Sequence, residues 1–151
     1  MSYITEGAEW MNPVPSAVKN LITNFFRIGD KPDPDAGNLW ADEVFAADGR
    51  LVVGENEIVG EQGAWAAIES RRHVVQRVYA GGSDAEDLML HGVLTQTIRG
   101  NGREVQIPFA ARMVLQPGSR QTSSPKIQLY QAWADQSPVH RALAGGGVSN
   151  K

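Results

Sequence analysis

The chain has 151 residues, a net charge of −3 and no cysteine. That length fits one domain with a core large enough to enclose a small pocket, and the missing cysteine removes disulfides, thiolate catalysis and cysteine-ligated zinc. Acids and bases are scattered with no basic run to track phosphates, and no apolar segment approaches the roughly 20 residues that cross a bilayer, so neither nucleic acid nor a membrane is an expected partner.

The first ten residues, MSYITEGAEW, carry two Glu and no basic run, so no secretory leader is expected and a cytoplasmic protein is the simplest reading. Residues 1–151 read as a single domain with a core over about 17–135 and a loose, Gly-rich tail over 136–151. NPVPS is a helix-start signal. In AVKNLITNFFRIG after it, Val18, Leu21, Ile22, Phe25 and Phe26 recur at helical spacing. GDKPDPDAG breaks that helix. NLWADEVFA reads as a short second helix with Leu39, Trp40, Val44 and Phe45 on its apolar side. ADGRLVVGENEIVGEQG reads as a small hairpin turning at Gly54 to Asn56. EQGAWAAIESRRH reads as a third helix carrying Trp65 and Ile68 and ending at His73, and VVQRVYA as a strand. Residues 87–115 read as a hairpin turning on Gly100-Asn101-Gly102, and KIQLYQAWAD as the last strand.

Helices come early and strands late. That order predicts an α+β fold: a curved, mostly antiparallel sheet with three helices packed on its concave side, a cone with room for a small ligand. A two-residue turn pairs positions whose numbers sum to an odd value, which puts Met89, His91, Ala110, Arg112 and Val114 on one face. Leu88, Leu90, Leu94, Phe109, Ala111 and Met113 then share the other, wholly apolar face. Two arrangements are open. Either the apolar face meets the helices and the mixed face meets water, or the mixed face lines the cone and the apolar face packs on a second subunit. The last strand contributes Gln131, Trp133 and Asp135 to the interior in the first case, and Gln128, Tyr130 and Ala132 in the second.

AADGRLVVGENEIVGEQGAWAAIESRRHVV, DLMLHGVLTQTIRGNGREVQIPFAARMVL and KIQLYQAWAD together resemble the SnoaL-like branch of the nuclear transport factor 2-like superfamily. The nearest flavour is the fungal natural-product isomerase and cyclase type, related to scytalone dehydratase. The resemblance implies that the mixed face lines the cone. RRHVV is similar to the dehydratase segment that supplies one pocket histidine, here His73. DLMLHG is similar to the strand that supplies a second, here His91, and FAARMVL to a strand bearing polar pocket groups, here Arg112. The dehydratase's Tyr and Asp near the first helix have no match in the sequence, and neither do the acidic groups of ketosteroid isomerase and limonene epoxide hydrolase.

The resulting expectation is a cofactor-independent isomerase, cyclase or dehydratase moving protons on a small, mostly apolar, oxygenated natural-product intermediate. His91 and His73 are the expected acid and base, and Arg112 and Tyr130 the oxyanion donors. Phe26, Trp40, Met89 and Gln128 are expected to hold the substrate. Each has a plainer reading beside it: a satisfied interface histidine, a helix-end His73, an Arg112 ion pair with Asp87 or Glu104, a half-buried strand Tyr130, and Phe26 and Trp40 as ordinary core. No metal is expected from three histidines without a carboxylate cluster, and no nucleotide cofactor without a Gly-rich phosphate loop. A homodimer through the apolar sheet face is expected, since that face would otherwise be bare. The alternative is a non-catalytic ligand-binding or dimerisation module, with a self-filled pocket and Arg112 tied to Asp87 or facing water. A hydrolase would need Glu55, Glu57 or Asp87 to position water.

Overall fold

The computed structural model describes residues 2–57, 65–81 and 85–145. In chain order these form β1 (Glu9–Met11), α1 (Ser16–Gly29), α2 (Ala36–Leu39), one π turn (Trp40–Val44), β2 (Phe45–Val53), β3 (Asn56–Glu57), β4 (Ile68–Gly81), β5 (Asp87–Ile98), β6 (Glu104–Leu115), a 3₁₀ turn (Ser119–Gln121), β7 (Ile127–Ala134) and α3 (Ser137–Gly145). The seven strands make one mixed sheet in the order β1-β4-β5-β6-β7-β2-β3. β1 runs parallel to β4, and β2 parallel to β7; the other neighbours are antiparallel. Helices on one side of a curved sheet are the expected α+β cone.

The 87–115 hairpin pairs as its parity predicts. His91 stands opposite Ala110 and Met89 opposite Arg112, with no register shift along the ladder. Gly100 and Gly102 turn it with positive φ, which side chains resist. The face assignment is the reverse of the one the resemblance implied. Leu88, Leu90, Leu94, Phe109, Ala111 and Met113 are all buried, facing α1. The reason is the stripe on α1. Val18, Leu21, Ile22, Phe25, Phe26 and Ile28 all need an apolar counter-surface. Each such side chain contributes roughly 1.5–3 kcal/mol on burial, and only the apolar side of the hairpin supplies that surface. The expected dimer through this face is therefore corrected, because the chain's own helix covers it.

Three elements differ from expectation. Ile68–His73, read as the end of a third helix, belongs to β4 and pairs with β5; residues 61–64 of that stretch lie outside the described residues. His73 consequently ends no helix. The inward residues of β4 are Ile68, Arg71, His73, Val75, Val78 and Ala80, because bulges between Ile68 and Ser70 and between Val75 and Arg77 each insert one residue. Spacings of three, two, two, three and two place 68, 71, 75 and 78 at helical intervals, so a bulged strand imitates a helix. The second helix stops at Val44, and Phe45 already lies in β2. Residues 137–145, expected as tail, form α3, where Val139 and Ala142 are buried and Ala142 accepts a hydrogen bond from Asn101 Nδ2 at 3.4 Å.

Candidate active site: a buried Asp–His pair in an aromatic cavity

Helix α1 ends in Gly29-Asp30 against the inner face of β4, and this junction builds the site. Gly29 is required by packing: an added Cβ would lie 2.7 Å from the Trp40 ring. Asp30 occupies the helix C-cap, and its N–H still donates to Phe26 O at 2.8 Å. The chain end of the helix thus fixes the carboxylate rather than leaving it in a free loop.

Asp30 is 9% exposed and saturated with donors. Oδ2 accepts from the His73 backbone N–H at 2.8 Å and from the Tyr3 hydroxyl at 2.9 Å. Oδ1 meets His73 Nδ1 at 2.5 Å. Arg71 Nε lies 4.0 Å from Oδ1, and the Arg71 guanidinium donates to Gly29 O and stacks over the Trp65 ring. A carboxylate on Nδ1 holds the proton there and leaves Nε2 as the lone-pair nitrogen. This is the arrangement by which a buried acid orients a catalytic imidazole.

His73 lines a cavity of about 300 Å³ between α1, the π turn and the inner sheet face. Its walls are mostly aromatic. Trp40 stacks on Phe25 at 5.1 Å between centroids, held by its Nε1 donating to Phe25 O at 3.0 Å. Tyr130 lies 4.3 Å from Phe25. Phe26 and Phe109 both pack on the His73 ring, at 4.8 and 5.2 Å, and on each other at 5.9 Å. Burial, then the nearby Asp30 charge, push the Tyr130 hydroxyl above its ordinary range, so it stays a neutral donor. The Tyr3 hydroxyl is pushed up to about 12 by burial first and Asp30 second.

The structure brings four of the expected site residues together at this cavity: His73, Tyr130, Phe26 and Trp40. It places the other four elsewhere, and that expectation is corrected. His91 sits on the outer face, its ring 6.2 Å from that of Tyr79. Met89 is 40% exposed there too. Arg112 is bound bidentately to Asp87, Nε at 3.0 Å and Nη2 at 2.8 Å, with both side chains exposed. Hydrogen bonding to Arg112 holds the Asp87 carboxyl below its ordinary range. Gln128 falls at the β6–β7 register shift, between the Leu129 and Ile127 pairs, and does not reach the cavity. β7 divides as the second arrangement expects for Tyr130 and Ala132, though not for Gln128: Tyr130, Ala132 and Ala134 stand opposite the inward Met113, Ala111 and Phe109, while Trp133 faces out.

Asp30, Tyr3, Arg71 and Gln96 were missed. Asp30 stood in a stretch read only as a helix breaker. The available signal was a Gly-Asp step closing a strongly apolar helix, where the carboxylate is carried to the inner end of the stripe.

No protein-family profile matches the sequence, and no curated protein matches it. Solved structures do. A protein from Catenulispora acidiphila with a ketosteroid isomerase-like fold is 20% identical with a TM-score of 0.62, covering 91% of this chain and 96% of that one. A candidate SnoaL-like polyketide cyclase from Shewanella denitrificans is 9% identical with a TM-score of 0.63, covering 87% and 99%. A candidate isomerase from Bacillus subtilis is 10% identical with a TM-score of 0.60, covering 89% and 96%. At such identities the likeness is one of fold, and the chain has the cone fold shared by NTF2-like and SnoaL-like proteins.

Proposed function

We propose that the cavity is the active site of a cofactor-independent isomerase, cyclase or dehydratase acting on a small, mostly apolar, oxygenated molecule. The observation that carries this reading is the 2.5 Å contact between Asp30 and His73 inside an aromatic cavity. His73 Nε2 takes a proton from a carbon beside a carbonyl, and the electron pair of that C–H bond moves onto the carbonyl oxygen. The neutral Tyr130 hydroxyl donates to the resulting enolate oxygen. Asp30 keeps the imidazole oriented and stabilises its charged form. The proton then returns from His73 to another carbon of the conjugated enolate, giving an isomer; or to the alkoxide oxygen left when the enolate carbon adds to a second carbonyl of the same molecule, giving a cyclised product; or to a β-hydroxyl that leaves as water as the enolate collapses to the unsaturated ketone. Aromatic walls exclude bulk water and strengthen each of these contacts. The similarity of RRHVV to a scytalone dehydratase segment supports the fungal natural-product setting. Among the described residues no helix is long and apolar enough to cross a membrane.

The non-catalytic reading has one observation in its favour, since Arg112 is tied to Asp87, one of the two arrangements it allows. It also requires a pocket filled by the chain's own side chains, and about 300 Å³ remains open. A homodimer fits the outer sheet face, where Tyr79, Met89 and Trp133 are each about 40% exposed.

The test is solvent deuterium exchange into a panel of enolisable cyclic ketones, followed by proton NMR. The wild-type chain is expected to accelerate exchange in at least one of them. His73→Ala should lose about 10²–10⁴-fold of that rate, Asp30→Asn a comparable amount, and His91→Ala none. Equal rates for wild type and His73→Ala would sink the proposal.

A further inference from the structure

Gln96 is on β5, 9% exposed, with its side chain lining the cavity. Its Oε1 is sealed from solvent and has no hydrogen-bond partner among the described residues. Buried amide oxygens are nearly always paired, and a half-turn of the terminal amide exchanges the sealed oxygen with the NH₂ end, bringing Oε1 to the cavity side where a ligand can supply its donor. The strand register says where that donor would be. His73 stands opposite Leu94, and Gln96 is the next inward residue along β5, opposite Arg71. Diagonal neighbours of this kind lie roughly 7–8 Å apart. A group held at Gln96 therefore sits a small ring's width from the imidazole, with Leu94 and Phe109 beneath it.

We propose that Gln96 is the specificity residue of the cavity, taking a hydroxyl group of the ligand, so that the site selects alcohols or phenols over hydrocarbons of the same shape. The ligand O–H donates to Gln96 Oε1. Without the half-turn, the NH₂ end toward the cavity donates to the same ligand oxygen. This deepens the proposed function by naming a feature of the substrate, and rests on the cavity being a ligand site. Leaving such a group unpaired when a hydrocarbon binds is what makes discrimination large.

The experiment compares p-cresol with toluene by isothermal titration calorimetry. Wild type should bind p-cresol at least tenfold tighter. Gln96→Met, close in shape and without the amide, should bring the two to within threefold, and its melting temperature should equal or exceed that of wild type because an unsatisfied polar group has been removed. Gln96→Leu serves the same comparison if the methionine variant does not fold. The preference should survive in His73→Ala, which separates this proposal from the catalytic one, and in Tyr130→Phe. A tenfold preference retained in Gln96→Met, or lost in Tyr130→Phe, overturns the assignment. Equal binding of both probes by wild type overturns it alone; binding of neither overturns it together with the ligand cavity beneath it.

Discussion

Two carboxylates grip basic partners on opposite faces of one sheet. Asp87 holds Arg112 on the outer face with near-ideal bidentate geometry, and both side chains are about half exposed. Asp30 holds His73 on the inner face through one side-chain contact, yet it is buried and also accepts from Tyr3 and the His73 backbone. The better-looking pair is the weaker one. Water screens the outer ion pair and competes for its hydrogen bonds. The inner carboxylate has no water to fall back on, so each of its donors matters. What fits a group for chemistry here is an enclosed setting that fixes the imidazole and leaves its far nitrogen facing a cavity.

The largest effect separating the faces should come from packing. Phe26→Ala removes a ring that is 1% exposed and sits on both His73 and Phe109, and should cost roughly 3–5 kcal/mol in urea unfolding. Trp133→Ala, at 43% exposure on the outer face, should change monomer stability by no more than about 0.5 kcal/mol. If the outer face forms a dimer, the wild-type unfolding midpoint rises with protein concentration and Trp133→Ala weakens that dependence. A cost at Trp133 equal to that at Phe26, independent of concentration, would remove the distinction between the faces.

Asp30→Ala comes next. It leaves the Tyr3 hydroxyl and the His73 N–H without an acceptor and should cost roughly 3 kcal/mol. Asp87→Ala should leave the urea midpoint within error, because its partner is already solvated. The contrast sharpens in acid. Asp87 is depressed by Arg112, so the pair acts above the ordinary carboxylate range and is lost as pH falls through the lowered value. Exposure keeps that loss small.

The sequence disclosed the architecture better than the site, for a physical reason. The hairpin was legible because alternation is strict and its turn tight, so the shared face of His91, Ala110 and Arg112 followed from parity alone. The side of the sheet that faces in does not follow from parity. It follows from matching the apolar strip of the hairpin to that of α1, a comparison the sequence permits and the resemblance to scytalone dehydratase overrode. β4 was illegible beyond its last residues because two bulges replace period two with a helical spacing. That misreading hid the inward direction of Arg71 and His73, and with it any reason to seek a carboxylate across from them. Asp30 itself is 43 residues from His73 in sequence, and only the fold joins them.

The smallest expected effect reports on the same buried carboxylate from its other side. The Tyr3 and Tyr130 hydroxyls are both raised, Tyr3 to about 12 from an ordinary 10.0. The folded chain therefore keeps protons between about pH 10 and 12 that the unfolded chain releases, and stability falls as pH rises through that window. Tyr3 is 38% exposed, so solvent blunts its share. Absorbance at 295 nm should show the Tyr3 and Tyr130 phenols ionising above the free-tyrosine range, and the urea midpoint should begin to fall near pH 10. Asp30→Asn should bring Tyr3 down, because it removes the charge and the charged acceptor that oppose its ionisation, while Tyr130 moves less because Asp30 acts on it through charge alone, without a hydrogen bond. Tyr3 unmoved by Asp30→Asn would mean that its hydroxyl does not rest on that carboxylate in solution, and the inner pair would lose one of the donors that set it apart from the outer one.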